Sequence, residues 1–190
     1  MTLGESIIAP SRYNFKTLAF FAWWNEEHYL DEFLRHHALS FLDLGWHVRM
    51  KLYRRWGEVK ELSKAFINTN LTVLDKPVVA VTLARLNILQ THRFIKWGKP
   101  VECQVRSHKG QALALAAIRP INTFSTFSIW KNESEMVSMV HGRNKLEDGE
   151  SHKLAMGERF RKDFHHEFTT MRFVPFKEVG VWNKKSDWSK

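Results

Sequence analysis

Three sets of residues in this chain are of types that could do chemistry. His152 stands at the start of a predicted helix, just after a polar break over Gly142–Gly149. An imidazole there can ligate a metal through one nitrogen when an acceptor holds the other. It can equally be a helix N-terminal residue hydrogen-bonded to water. Arg172 shares a strand face with Phe168, Thr170 and Val174, and Arg49 occupies the equivalent place on an earlier strand. A buried guanidinium must be paired; Glu167, another carboxylate or an anionic ligand would serve. His47 and Tyr53 share a face with Arg49, at a polar pocket edge or at the surface.

The third set is the aromatic run Thr123–Trp130. One of its faces offers Phe124, Thr126, Ser128 and Trp130, the other Ser125, Phe127 and Ile129. Alternation does not say which points inward. Eight Trp and fourteen Phe suit a deep apolar pocket, and suit a large aromatic core as well. His37 lies on the apolar face of its helix, as a satisfied core residue or as the front counterpart of His152. The pair His165-His166 makes no metal site, because neighbouring strand residues point apart. No Gly-rich phosphate loop, Ser-His-Asp signature or HExxH motif is present. A single cysteine, Cys103, excludes an intramolecular disulfide and a Cys-cluster metal site, and favours a reducing compartment.

These residues must be held by regular elements. Residues 1–13 read as an irregular lead-in and Leu18–Trp24 as a buried strand. Asn25 caps an amphipathic helix over 26–43 carrying Leu30, Phe33, Leu34, His37 and Phe41, and Gly45 ends it. Trp46–Tyr53 alternates as a half-buried strand, and 57–75 is a connector. Val78–Leu86 is the next strand, 91–108 a helix broken near Gly98, and Ala112–Ile118 a strand ended by Pro120. Strand Thr123–Trp130, helices over 133–141 and 151–164 and strand Phe168–Phe176 follow. The charged tail Asn183–Lys190 is expected to fray.

Two stretches repeat. In register, Phe21 falls on Phe127, Trp24 on Trp130 and Glu27 on Glu133; after each helix Arg49 falls on Arg172 and Gly57 on Gly180. The spacing predicts an α+β fold. Residues 73–190 form a complete ferredoxin-like βαββαβ module, and 1–72 a truncated βαβ repeat within the same compact domain. Two such sheets packed face to face would enclose a cavity. The exposed edge left by the missing half predicts a second copy of the chain.

At 190 residues the chain can bury a real core. Its net charge of +9 is spread along the sequence, with only short clusters such as Arg54-Arg55 and Lys184-Lys185. That pattern reads as a solvated basic surface with no nucleic-acid signature, and it allows contact with an anionic membrane surface. The N-terminus lacks a basic signal region and no apolar run reaches membrane-spanning length, so a cytoplasmic location is expected.

Phe127-Ser-Ile-Trp130, His152, Ala155, Glu167, Arg172-Phe173 and the closing Gly180-Val-Trp182, with Ala84-Arg85 in addition, resemble the spheroidene monooxygenase family of carotenoid biosynthesis. The resemblance covers 78–182, and 15–60 more faintly. It implies a dimeric α/β-barrel fold and an oxygenase that inserts oxygen from O2 into an apolar, carotenoid-like substrate with an electron donor. It also implies haem, which related barrels hold through a histidine of the C-terminal module. On that reading His152 is the iron ligand, and Phe127 and Trp130 flank the cofactor. Arg172 places charge near bound oxygen or a haem propionate. The chain departs from the family pattern over 131–151 and in lacking the front half of the first repeat. A non-catalytic ligand-binding barrel and a cofactorless monooxygenase are the alternatives on the same fold.

Overall fold

The computed structural model describes residues 1–4, 13–36, 41–119, 122–142 and 150–190. Its strands are β1 (Thr2–Gly4), β2 (Tyr13–Leu18), β3 (His47–Glu58), β4 (Val78–Leu86), β5 (Gln111–Arg119), β6 (Thr123–Trp130) and β7 (His165–Val179). The helices are α1 (Glu27–Arg35), α2 (Thr91–Ser107), α3 (Glu133–Val140) and α4 (Ser151–Arg161). All pairings are antiparallel and build one seven-stranded sheet in the order β2-β1-β5-β6-β4-β7-β3. Its four middle strands, β5-β6-β4-β7, with α2 between β4 and β5 and α3–α4 between β6 and β7, are the expected ferredoxin-like module.

The strands form where β-branched and aromatic residues alternate. On β4, Val79 and Val81 join Leu52, Ile129, Met171 and Phe173 in the main core on one face of the sheet. Ala80, Thr82 and Ala84 take the other face, beneath the helices. Phe21 and Trp23 before α1 and Trp182 and Trp188 after β7 pack against the main core. Burying each large side chain such as Phe173 contributes roughly 1.5–3 kcal/mol.

The N-terminal third departs from the sequence reading. Strand β1 falls in what reads as an irregular lead-in and β2 begins at its last residue, whereas Leu18–Trp24 is a strand only at Leu18 and then runs irregularly. Among the described residues the front repeat builds no second facing sheet. Instead β1–β2 extend one edge of the module through β5, and β3 extends the other through β7. Edge addition satisfies the unpaired N–H and C=O rows that a module edge presents. Helix α1 is shorter than expected, closing at His36; His37 and residues 143–149 of the predicted break lie outside the described residues.

Elsewhere the differences are of extent. Helix α2 runs unbroken through Gly98 and Pro100. Packing overrides the local penalty of proline: buried Gln104 donates to the Met139 carbonyl at 2.7 Å, and Arg93 clamps α2 to Glu158 of α4. The tail is tied back to β7. The Glu178 carboxylate accepts from Trp46 Nε1 at 2.7 Å, from the Trp188 amide at 3.1 Å and from the Ser189 amide and hydroxyl at 2.9 and 2.7 Å. No helix among the described residues is long and apolar enough to cross a membrane.

Candidate functional site

A cavity of about 560 Å³ lies between the helices and the sheet. Its floor is made of small residues: Ala80 and Thr82 on β4, Ala114 and Ala116 on β5, Thr126 and Ser128 on β6, and Thr170 on β7. Large side chains at those positions would fill the space under the helices; alanine, serine and threonine leave it hollow. The roof offers Val101 and Val105 of α2, Met136 and Met139 of α3, and Ala155 and Met156 of α4, with Glu102, Arg106 and Arg159 as its charged members.

The β6 alternation, open in the sequence, is decided. Phe124 and Trp130 face the helices and line the cavity, Trp130 donating from Nε1 to Ser128 Oγ at 2.8 Å. Phe127 borders the cavity, but its ring packs on the main core across the sheet, edge-on to Trp46 at 5.9 Å. The structure therefore separates it from Trp130, with which the sequence reading groups it.

His152, on the first turn of α4, lines the cavity wall. Its backbone N–H donates to Gln104 Oε1 at 2.8 Å, tying α4 to α2. Burial pushes the imidazole pKa down, against the opposing effect of a hydrogen bond to the Val140 carbonyl. The lowered pKa favours the neutral ring at neutral pH. That is the state a metal-ligating histidine requires. Among the described residues no three His, Cys, Asp or Glu side chains converge to hold a metal ion. A metal at His152 would have to bring its remaining ligands with it, as a porphyrin does. The residues present fit haem to that extent.

Arg172 also lines the cavity, and its carboxylate partner is Glu133 rather than Glu167. Nη1 donates to Glu133 Oε1 at 2.8 Å, and the same oxygen accepts from Tyr53 Oη at 3.2 Å. Burial, with the Glu133 charge second, raises the Tyr53 pKa above its ordinary value. Glu167 is paired with Arg85. Arg54 lies opposite Arg172 in the β3–β7 register, on the cavity rim, with no carboxylate partner among the described residues. Like charges in register repel, so an anionic end of a ligand would find its counter-charge at Arg54. His47 has both ring nitrogens buried without a partner among the described residues and does not line the cavity.

Sequence reasoning missed the other end of the site. His165, set aside as one of an adjacent pair, is 4% exposed at the side chain and lines the cavity with Phe94, Phe124, Phe164 and Phe168. Its Nδ1 meets Asp163 Oδ1 at 3.1 Å, and Asp163 Oδ1 also accepts from the His165 amide at 3.0 Å and from Arg159 Nε at 3.4 Å. The legible signal was Asp163-x-His165: an Asp two residues before a strand-starting His can bond its amide as an Asx turn.

No family model matches the chain, and no curated protein does. Solved structures are similar at low identity. A monooxygenase candidate from Fusobacterium nucleatum is 12% identical with a TM-score of 0.47, over 86% of this chain and 72% of that one. A monooxygenase-like protein from Listeria innocua is 11% identical with a TM-score of 0.41, over 80% and 90%. A monooxygenase candidate from Lactobacillus acidophilus is 11% identical with a TM-score of 0.43, over 57% of this chain and 49% of that one; the match spans about half of that relative.

Proposed function

We propose that this chain is a monooxygenase-like oxidoreductase that takes an apolar substrate into the cavity beneath α2, α3 and α4. The observation that carries the reading is that hollow of about 560 Å³, within the size range of small-molecule sites, with a neutral imidazole in its wall. The small-residue floor and the Val and Met roof favour an apolar ligand. A carotenoid-like polyene is the substrate that the family resemblance implies, and haem is the cofactor it implies.

In this reading His152 would hold the cofactor through a nitrogen of its neutral ring. Haem would supply oxygen activation when bound. The chain's own residues do the rest: Trp130 and Phe124 wall the substrate, the Val and Met side chains of the roof pack on it, and Glu133 fixes Arg172 in place beside the cavity. The Arg54 guanidinium is placed for a propionate or another anionic group.

Titration of the purified protein with hemin tests this. A Soret band that saturates at one equivalent and is lost in His152→Ala supports the haem reading. Oxygen uptake with an apolar substrate and no chromophore would transfer the reading to cofactorless oxygenation. Ligand binding with no oxygen uptake under either condition would leave a binding protein and sink the oxygenase proposal.

A further inference from the structure

The aromatic end of the cavity contains two buried polar atoms with no partner among the described residues, His165 Nε2 and Arg159 Nη1. They belong to side chains that a single carboxylate, Asp163, already holds. The guanidinium of Arg159 lies over the rings of Phe168 and Trp56, at 3.9 and 4.8 Å from their centroids. The His165 ring is 4.9 Å from Phe168 and 5.8 Å from Phe94, Phe124 and Phe164. Every one of these residues except Asp163 lines the cavity.

Unpaired polar atoms in such surroundings are costly and are rare in folded proteins. Nδ1 meets the Asp163 carboxylate, so it carries the ring proton, and Nε2 is left as an acceptor. Arg159 Nη1 can only donate. A hydroxyl group can answer either atom, donating its proton to Nε2 or accepting from Nη1. The aromatic rings around the pair fix the rest of the ligand.

We propose that His165 and Arg159 form a polar subsite for the hydroxyl of an aromatic, phenol-type substrate, oriented by Asp163. This rests on the reading of the cavity as a substrate site, which it deepens, and does not depend on oxygen chemistry. The charged groups facing His165 are Asp163 and Arg159. Burial first and Arg159 second hold the imidazole pKa down at about 4, so it remains an acceptor at neutral pH.

The test is a ligand-observed NMR titration of the whole chain with 2-naphthol and 2-methoxynaphthalene, without oxygen or added cofactor. The ether keeps the rings and loses the donor. Wild type is expected to prefer 2-naphthol about tenfold, the factor associated with one recovered hydrogen bond. His165→Phe, which keeps a ring in the aromatic cluster, is expected to bind both equally, and Asp163→Asn to retain only part of the preference. Equal affinity of the two probes for wild type, a preference that survives His165→Phe, or no binding of either probe would overturn the proposal. Because oxygen and cofactor are excluded, absence of oxygenase activity would leave this outcome unaffected.

Discussion

Glu133, in the first turn of α3, accepts a hydrogen bond from Arg172 of β7 at 2.8 Å. The same relationship recurs in the front repeat. Glu27, in the first turn of α1, accepts from Arg49 of β3 at 2.6 Å, with Asp31 adding a second bond at 2.7 Å. Each repeat thus pins a helix start to a strand arginine. The two repeat glycines match as well, with φ of +72° at Gly57 and +84° at Gly180.

Glu133→Gln should leave Arg172 and Arg54 facing each other with one counter-charge removed. The pair is partly exposed, so a loss of roughly 1–2 kcal/mol is expected. Urea denaturation measures it. The Tyr53 pKa should fall toward its ordinary value in the same variant, since Glu133 contributes to holding it up; absorbance titration of the phenol reads that shift.

Gly57→Ala should be among the most damaging small substitutions. A Cβ there would sit 2.2 Å from the Phe168 carbonyl oxygen, at a φ that side chains avoid. Strain of roughly 1–3 kcal/mol is expected before any displacement of β7. A thermal unfolding midpoint equal to wild type would contradict it.

Glu158 should govern acid stability of the α2–α4 contact. Hydrogen bonds from Arg161 and then Arg93 lower its pKa to about 2. The folded value lies below the unfolded one, so this stabilisation is complete above the ordinary glutamate range and is lost as pH falls toward about 2. Wild type and Glu158→Gln should differ in urea midpoint at pH about 6 and converge below pH about 2.

Ala155→Phe should fill the cavity from α4 without disturbing the main core on the opposite face of the sheet. The expected result is an unfolding midpoint at or above wild type, together with loss of hemin and naphthol uptake. Uptake unchanged in this variant would show that the ligands bind elsewhere.

The sequence alone determined the module. β-branched and aromatic alternation marks β4 over Val78–Leu86 and β6 over Thr123–Trp130, because a two-residue period is a local property of an extended chain. The repeat register also brought Glu133 and Arg172 into matching positions with Glu27 and Arg49, although their pairing was not foreseen. Tertiary structure decided what alternation leaves open. Whether Trp130 or Phe127 faces the helices depends on which side of the sheet α2, α3 and α4 pack, and no local pattern carries that. The placement of β3 beside β7 and of β1 beside β5 is a choice between edges with similar unpaired backbone. His165 became a candidate only when folding buried its ring among aromatics and gave Nδ1 to Asp163, since burial depends on neighbours far away in the chain.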